Sequence, residues 1–234
     1  MRSILLALFL ALPAHAGVTE ELEILGFSAD GAYFAFRAFA EGEMGQAFSR
    51  VRVVDVKKNA YVGKPFRFEA PSEKTTAQSA REQVLALAGS TLERLGIDSK
   101  TPGTAVIAAK LEAKHQTPSV RGWGGPGGEF EVTVREHPAQ LSLKELQAVC
   151  PQDAGDGIYE PKLLEVVVKN TKTKGTRVLQ KDSELPGKRG CATGYRLGRV
   201  ILGPGGAVVV LLRVSRPGYE GADFEWMPVA GTLP

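Results

Sequence analysis

LEILGFSADGAYFAF, residues 22–36, is the stretch from which the fold is read. An apolar run from Leu22 to Phe27 and a second from Tyr33 to Phe36 flank Ser28-Ala29-Asp30-Gly31. An Asp-Gly pair between two apolar runs favours a tight turn, so this segment reads as a β-hairpin. Further along, a looser glycine-bearing link, Glu41 to Gln46, leads to Val51-Arg52-Val53-Val54-Asp55-Val56, a short turn at Lys57-Lys58-Asn59, and Tyr61-Val62. Four strands in this order fit one antiparallel sheet.

Between Ser72 and Leu95 the apolar period changes from two to about 3.6, with Ala77, Ala80, Val84, Leu87, Ala88, Thr91 and Leu95 on one face. That spacing predicts an amphipathic helix lying across a sheet. Ser72, Thr75 and Thr76 are suited to cap its start, and Gly96 before Ile97 suits a left-handed C-terminal cap. More strands are expected at Ala105 to Leu111, Phe130 to Val134, Leu163 to Val168, Arg177 to Leu179, Arg199 to Leu202 and Ala207 to Val214. The last two flank Gly203-Pro204-Gly205-Gly206 and so repeat the plan of the first hairpin. An internal duplication is one reading of this likeness and chance is the other. The fold class that follows is mainly β (α+β): antiparallel sheets, sandwich-like or partial propeller-like, with one amphipathic helix packed on a sheet.

The chain opens with Arg2, an apolar stretch from Ile4 to Leu12, Pro13, and Ala14-His15-Ala16 before Gly17. These are the three parts of a secretory signal peptide cleaved after Ala16. The apolar stretch is about half the roughly 20 residues that a membrane-spanning helix needs. No cysteine follows the cleavage point to accept a lipid. The richest later run, Ala207 to Leu212, ends at Arg213, so no integral membrane segment is expected. Loss of residues 1–16 from the 234 leaves 218, read as a single secreted domain over 17–234. Its destination is the periplasm or the exterior. The formal charge of +3 falls to +2 as Arg2 leaves, too near neutral to suggest a nucleic-acid partner.

Cys150 and Cys191 are the two cysteines, and in an oxidising compartment one disulfide is their default state. Closing a loop of about 40 residues would contribute roughly 4 kcal/mol. A pair of free thiols is the alternative, whereas a C-x-x-C redox pair is excluded by the spacing.

Two resemblances extend this reading. Gly26 to Phe36 with Val51 to Val56 resembles one blade of a TolB-type propeller, whose pattern is Ser-x-Asp-Gly followed by aromatic and apolar strands. A whole propeller needs about four to eight blades, more than this chain can supply. Most of the mature chain is similar to a bacterial family of predicted secreted proteins, domain of unknown function 2259. The similarity rests on Gly26-Phe27-Ser28-Ala29-Asp30-Gly31, on Leu185 to Cys191 with Tyr195-Arg196-Leu197, and on Arg216-Pro217-Gly218-Tyr219-Glu220-Gly221-Ala222-Asp223. It implies a secreted or periplasmic domain and brings no catalytic residue.

Chemistry-bearing motifs are sparse. No serine stands in G-x-S-x-G or S-x-x-K. Of the three histidines, His15 leaves with the signal peptide, and His115 and His137 lie outside any H-E-x-x-H motif. The loop Gly122 to Gly128 leads into a strand and not into a helix, so a hairpin loop is expected in preference to a phosphate cradle; Trp123 at its tip is a candidate contact for a ligand or partner, with folding back onto the core as the alternative. Asp153, Asp156 and Glu160 lack EF-hand spacing and read as a polar turn. Glu220 and Asp223 form a carboxylate pair beside Tyr219. Lys169, Lys172, Lys174, Arg177 and Lys181 form a basic hairpin, suited either to an anionic polymer or to guarding a sheet edge.

No cofactor, metal site or catalytic residue is assigned. The leading reading is a non-enzymatic binding or envelope-associated module whose partner is an extracytoplasmic protein or envelope component. Its contact candidates are Trp123, Tyr219, Glu220, Asp223, Lys172, Lys174 and Arg177. The rival is a hydrolase of an envelope polymer or carbohydrate that uses Glu220 and Asp223. Intact-mass and N-terminal sequencing of the exported protein should return Gly17 as the first residue, and alkylation without reductant should leave Cys150 and Cys191 unmodified.

Overall fold

Alternation within the apolar runs decides which face each strand gives to a core. The computed structural model describes residues 18–41, 46–70, 75–107, 112–113, 129–133, 139–147, 162–170, 173–183, 192–217 and 222–234. The expected first hairpin is β1 (Glu21–Ser28) and β2 (Tyr33–Glu41), followed by β3 (Ala47–Asp55), β4 (Ala60–Tyr61) and β5 (Phe66–Glu69). After helix α1 (Ala77–Arg94) come β6 (Ile97–Asp98), β7 (Thr104–Ile107), β8 (Glu112–Ala113), β9 (Glu129–Thr133) and β10 (Ala139–Gln147). The chain continues through β11 (Lys162–Asn170), β12 (Thr176–Lys181), β13 (Gly194–Leu202), β14 (Ala207–Pro217) and β15 (Ala222–Thr232).

Among the described residues these strands form three antiparallel sheets. The first has the order β4-β3-β2-β1-β6, with β5 also on β3; the second is β12-β11-β10-β9-β8; the third is β15-β14-β13-β7. The sandwich-like expectation holds, and the third sheet is its middle layer. On β14, Val208, Val210, Leu212 and Val214 pack with Leu164, Val166, Val168 and Leu179 of the second sheet. The alternate residues Ala207, Val209 and Leu211 pack with Phe27, Phe34, Phe36 and Val54 of the first. A strand covered on both faces is apolar at nearly every position, which explains the unbroken run Ala207 to Leu212.

Helix α1 covers the other face of the first sheet, where Ala80, Val84 and Ala88 meet Ala47, Val51, Phe66 and Phe68. Thr76 is the N-cap, its side chain accepting from the Ser79 N–H at 3.2 Å. Gly96 takes the left-handed backbone expected after the helix, at φ 63°. Leu87 corrects the predicted face: it is 54 % exposed. Leu85 and Leu92 pack against the core instead, so the buried stripe centres on Val84 and Ala88 and leaves Leu87 at its margin. The β1–β2–β3 meander is the strand order that a blade resemblance implies, but it belongs to a larger sheet buried on both faces.

The two glycine turns singled out in the sequence touch one another. Ser28 Oγ donates to Asp30 Oδ1 at 2.6 Å, and the Ala32 N–H donates to the same carboxylate oxygen at 3.0 Å. These bonds hold the Asp30 carboxyl below the usual carboxylate range. Gly31, at φ +72°, lies so close to Pro204 that an added Cβ would overlap the Pro204 carbonyl. Substituting Gly31→Ala should therefore cost about 3 kcal/mol or more in urea denaturation, from left-handed strain plus overlap. Gly63→Ala, at φ +72° with nothing within 4 Å, should cost only about 1 kcal/mol.

Candidate functional site

Of the sequence-predicted contact residues, the three that are described, Lys174, Arg177 and Asp223, do not come together. Trp123, Tyr219, Glu220, Lys172 and both cysteines lie outside the described residues. Lys174 occupies the β11–β12 turn at φ 63°, its N–H donating to Asn170 O at 2.9 Å. Arg177 donates to Thr232 O at 3.2 Å and to the Thr232 hydroxyl, at the end of β15. Lys181 pairs with Glu165 at 3.2 Å. Strand β12 is a sheet edge with a register shift opposite Val166/Val167, so its basic residues sit where edge guarding places them. Asp223 lies at the opposite end of β15 from Thr232, nine residues or about 30 Å away. Its Oδ1 accepts from the Val18 N–H at 3.1 Å.

Around Asp223 the outer edge of β15 is closed group by group. The Phe224 N–H donates to Val18 O at 2.8 Å, and Phe224 O accepts from the Glu20 N–H at 3.1 Å. The Trp226 N–H donates to the Glu20 carboxylate at 3.1 Å, and Trp226 O accepts from Arg52 at 2.6 Å. Position 228 is proline and has no N–H to satisfy. The Ala230 N–H donates to Asn59 Oδ1 at 2.8 Å. Glu20, 3 % exposed, also pairs with Arg50, while Glu225 pairs with Arg216 and, at 3.6 Å, with Arg52. A second cluster joins Glu23 to Arg37 and to Arg81 at 2.8 Å. Burial pushes the Glu23 carboxyl up, but the hydrogen bonds and charges of Arg37 and Arg81 outweigh it and leave it below the usual range.

Three arginines on the central sheet are placed differently. Arg196 on β13 is directly opposite Arg213 on β14. The register then shifts between Leu197 and Arg199, and Arg199 faces Leu211. This bulge matters because side chains alternate: three residues apart on a regular strand, Arg196 and Arg199 would point to opposite faces. With Gly198 as the extra residue, both share the face of Arg213 and Leu211. Gly198 is tied to that geometry, since a Cβ there would overlap the Trp226 ring. Phe224 and Trp226, paired with Ser215 and Arg213, lie on the same face. The Arg213 guanidinium sits over the Phe224 ring, 4.9 Å from its centre. Burial and the Arg196 charge both push Arg213 below the ordinary arginine value. Among the described residues, Arg37, Arg50, Arg52, Arg67, Arg81 and Arg216 each pair with a carboxylate, whereas Arg196, Arg199 and Arg213 form no such pair.

Two segments that carry the family resemblance meet here: Tyr195-Arg196-Leu197 begins β13, and Arg216 with Asp223 brackets the β14–β15 connection. Sequence reading passed over Arg199 and Arg213 because the bulge that aligns them is invisible without the register; Gly198 was its one signal. Among the described residues the architecture is mainly β, with three sheets and one covering helix. The chain belongs to the family described as "Predicted secreted protein (DUF2259)", whose model matches residues 35–232. A comparison with curated proteins returns no match. Among the described residues no helix is long and apolar enough to cross a membrane.

Glu20 is the group whose loss should be felt most in this region. Glu20→Ala leaves Arg50 and the Trp226 N–H without their carboxylate and should cost about 3 kcal/mol in chemical denaturation. In the Arg50→Ala background the same substitution should cost clearly less.

Proposed function

We propose that this protein is a non-enzymatic extracytoplasmic binding module, acting in the periplasm or outside the cell after cleavage following Ala16. The observation that carries the reading is the contrast on the central sheet between committed carboxylates and uncommitted arginines. Glu20, Glu225 and Asp223 are engaged with Arg50, Arg216 and the Val18 N–H respectively, so each already serves the fold. Arg196, Arg199 and Arg213 present positive charge on one face, beside Phe224 and Trp226. Such a face recognises; it supplies neither a nucleophile nor a general base. The partner is an envelope component that carries negative charge.

Hydrolysis by Glu220 and Asp223 needs two carboxyl groups facing one cleft. Asp223, turned to the Val18 backbone, lends that reading no support. A Cys150–Cys191 disulfide is part of the proposal. The Lys162 N–H donates to Ala192 O at 2.8 Å, and Lys162 is registered with Gln147, so the chain on either side of Lys162 leads within one to three residues of each cysteine. That separation is within reach of extended chain at about 3.5 Å per residue.

Immobilised mature protein should enrich an anionic component from envelope extract, and the Arg196→Gln form should not. Turnover in a broad hydrolase panel, together with equal capture by both forms, would overturn the proposal.

A further inference from the structure

We propose that Arg196, Arg199 and Arg213 bind a terminal phosphate group, either free inorganic phosphate or the phosphomonoester headgroup of a lipid; this rests on the binding reading above and names its ligand chemistry. Like charges directly opposite on neighbouring strands are destabilising, with Cβ atoms roughly 5 Å apart. Arg196 and Arg213 are in that relation. Arg199 is the diagonal neighbour of Arg213, roughly 7–8 Å away. The bulge at Gly198 brings the third arginine to a face that already carries two, and bulges are devices that re-aim side chains near functional sites. A fold that adds positive charge where repulsion already exists, with no carboxylate set against it among the described residues, is matched by an anion from outside.

The number of arginines selects the anion. A phosphate monoester carries about −1.5 to −2 charge at pH 7 and three acceptor oxygens, so it can face three guanidiniums and offset their repulsion. A single carboxylate brings one charge and two oxygens. Planar guanidinium forks grip adjacent phosphate oxygens in pairs. Arg213 is steadied for this by the Phe224 ring beneath it, while Arg196 is exposed at the rim.

The test uses the full mature chain at constant ionic strength. One arm titrates inorganic phosphate by calorimetry and thermal melting. The other measures co-sedimentation with phosphatidylcholine vesicles containing phosphatidic acid. A free-ion ligand gives saturable binding and a raised melting temperature in the first arm alone; a headgroup ligand gives vesicle binding that inorganic phosphate displaces. In either case Arg196→Gln and Arg213→Gln should each weaken binding tenfold or more, and Arg94→Gln, at an exposed arginine in the last turn of α1, should not change it. Arg196→Gln without ligand should melt at or above the unsubstituted protein, because it relieves repulsion. A melting temperature lowered by Arg196→Gln would mark a structural residue and overturn the assignment, as would binding that survives Arg196→Gln or falls equally with Arg94→Gln. No binding in either arm, alongside Arg196-dependent capture from envelope extract, removes phosphate and leaves the binding module; loss of both removes the module as well.

Discussion

The outer edge of β15 is the constraint on which the rest of this structure depends. A middle sheet cannot leave an edge strand with bare N–H and C=O groups, since each buried and unpaired group costs about 1–3 kcal/mol and an exposed edge invites pairing with other chains. Here the edge is closed by three different devices. Residues 18–20 supply backbone pairing, with Thr19 bridged to Phe224. Glu20 and Arg52 supply side-chain groups, and Pro228 removes a donor. Asn59 completes the set and does more than close an edge. Its Oδ1 accepts from Ala230 of β15 while its Nδ2 donates to Leu179 O and Gln180 Oε1 of β12. One amide therefore links a turn of the first sheet to both other sheets. That placement also accounts for the left-handed backbone of Asn59, at φ 50°, which asparagine tolerates better than most residues.

The same constraint explains where the carboxylates went. Glu20, buried, and Glu225, half-buried, sit beside the sheet edge, where their charges are matched by Arg50, Arg52 and Arg216. Breaking such buried pairs is expensive, so these residues are spent on joining layers. The carboxylates described at this end of β15 thus serve the fold, and the charge left over is positive. Arg196, Arg199 and Arg213 differ in facing from Arg216, the paired arginine of β14: they lie on the face of the apolar patch Ile201, Val209 and Leu211, beyond its end.

Much of this was legible in the sequence, and the reasons for the exceptions are physical. Local signals worked where local chemistry decides: the Asp-Gly turn, the helix with its Thr76 cap and Gly96 end, and the run Ala207 to Leu212. Strand β10 was missed; its Leu-Ser-Leu-Lys-Glu-Leu pattern alternates only in part. Strand β15 was missed because Pro228 reads as a strand breaker, and only the neighbouring layers reveal an edge position where proline is harmless. Asp223 was read as half of a carboxylate pair, yet its partner is a backbone N–H 205 residues away in sequence. Leu87 was assigned to the buried face because the period fixes a stripe's width more firmly than its centre, which the flanking Leu85 and Leu92 set. The arginine face was illegible for a sharper reason. A one-residue bulge inverts every facing after it, so the spacing of Arg196 and Arg199 indicates opposite faces unless Gly198 is known to be extra.

The central sheet therefore has two unlike ends. At one, the β13–β14 turn meets the first hairpin at Gly31 and Pro204, and the β11–β12 hairpin holds the chain near Thr232 and Pro234. Contacts there are so close that side chains are excluded, which fixes the layers against one another. At the other end, six residues or about 20 Å along β14 from Ala207 to Arg213, the sheet carries mutual repulsion between its arginines. Repulsion at that end is tolerable because the layers are locked at the first end by turn contact and Asn59, and beside the arginines by the covered edge of β15. A rigid end can hold an unfavourable charge arrangement in readiness for a ligand, whereas a loosely joined one would splay its strands and disperse the charge.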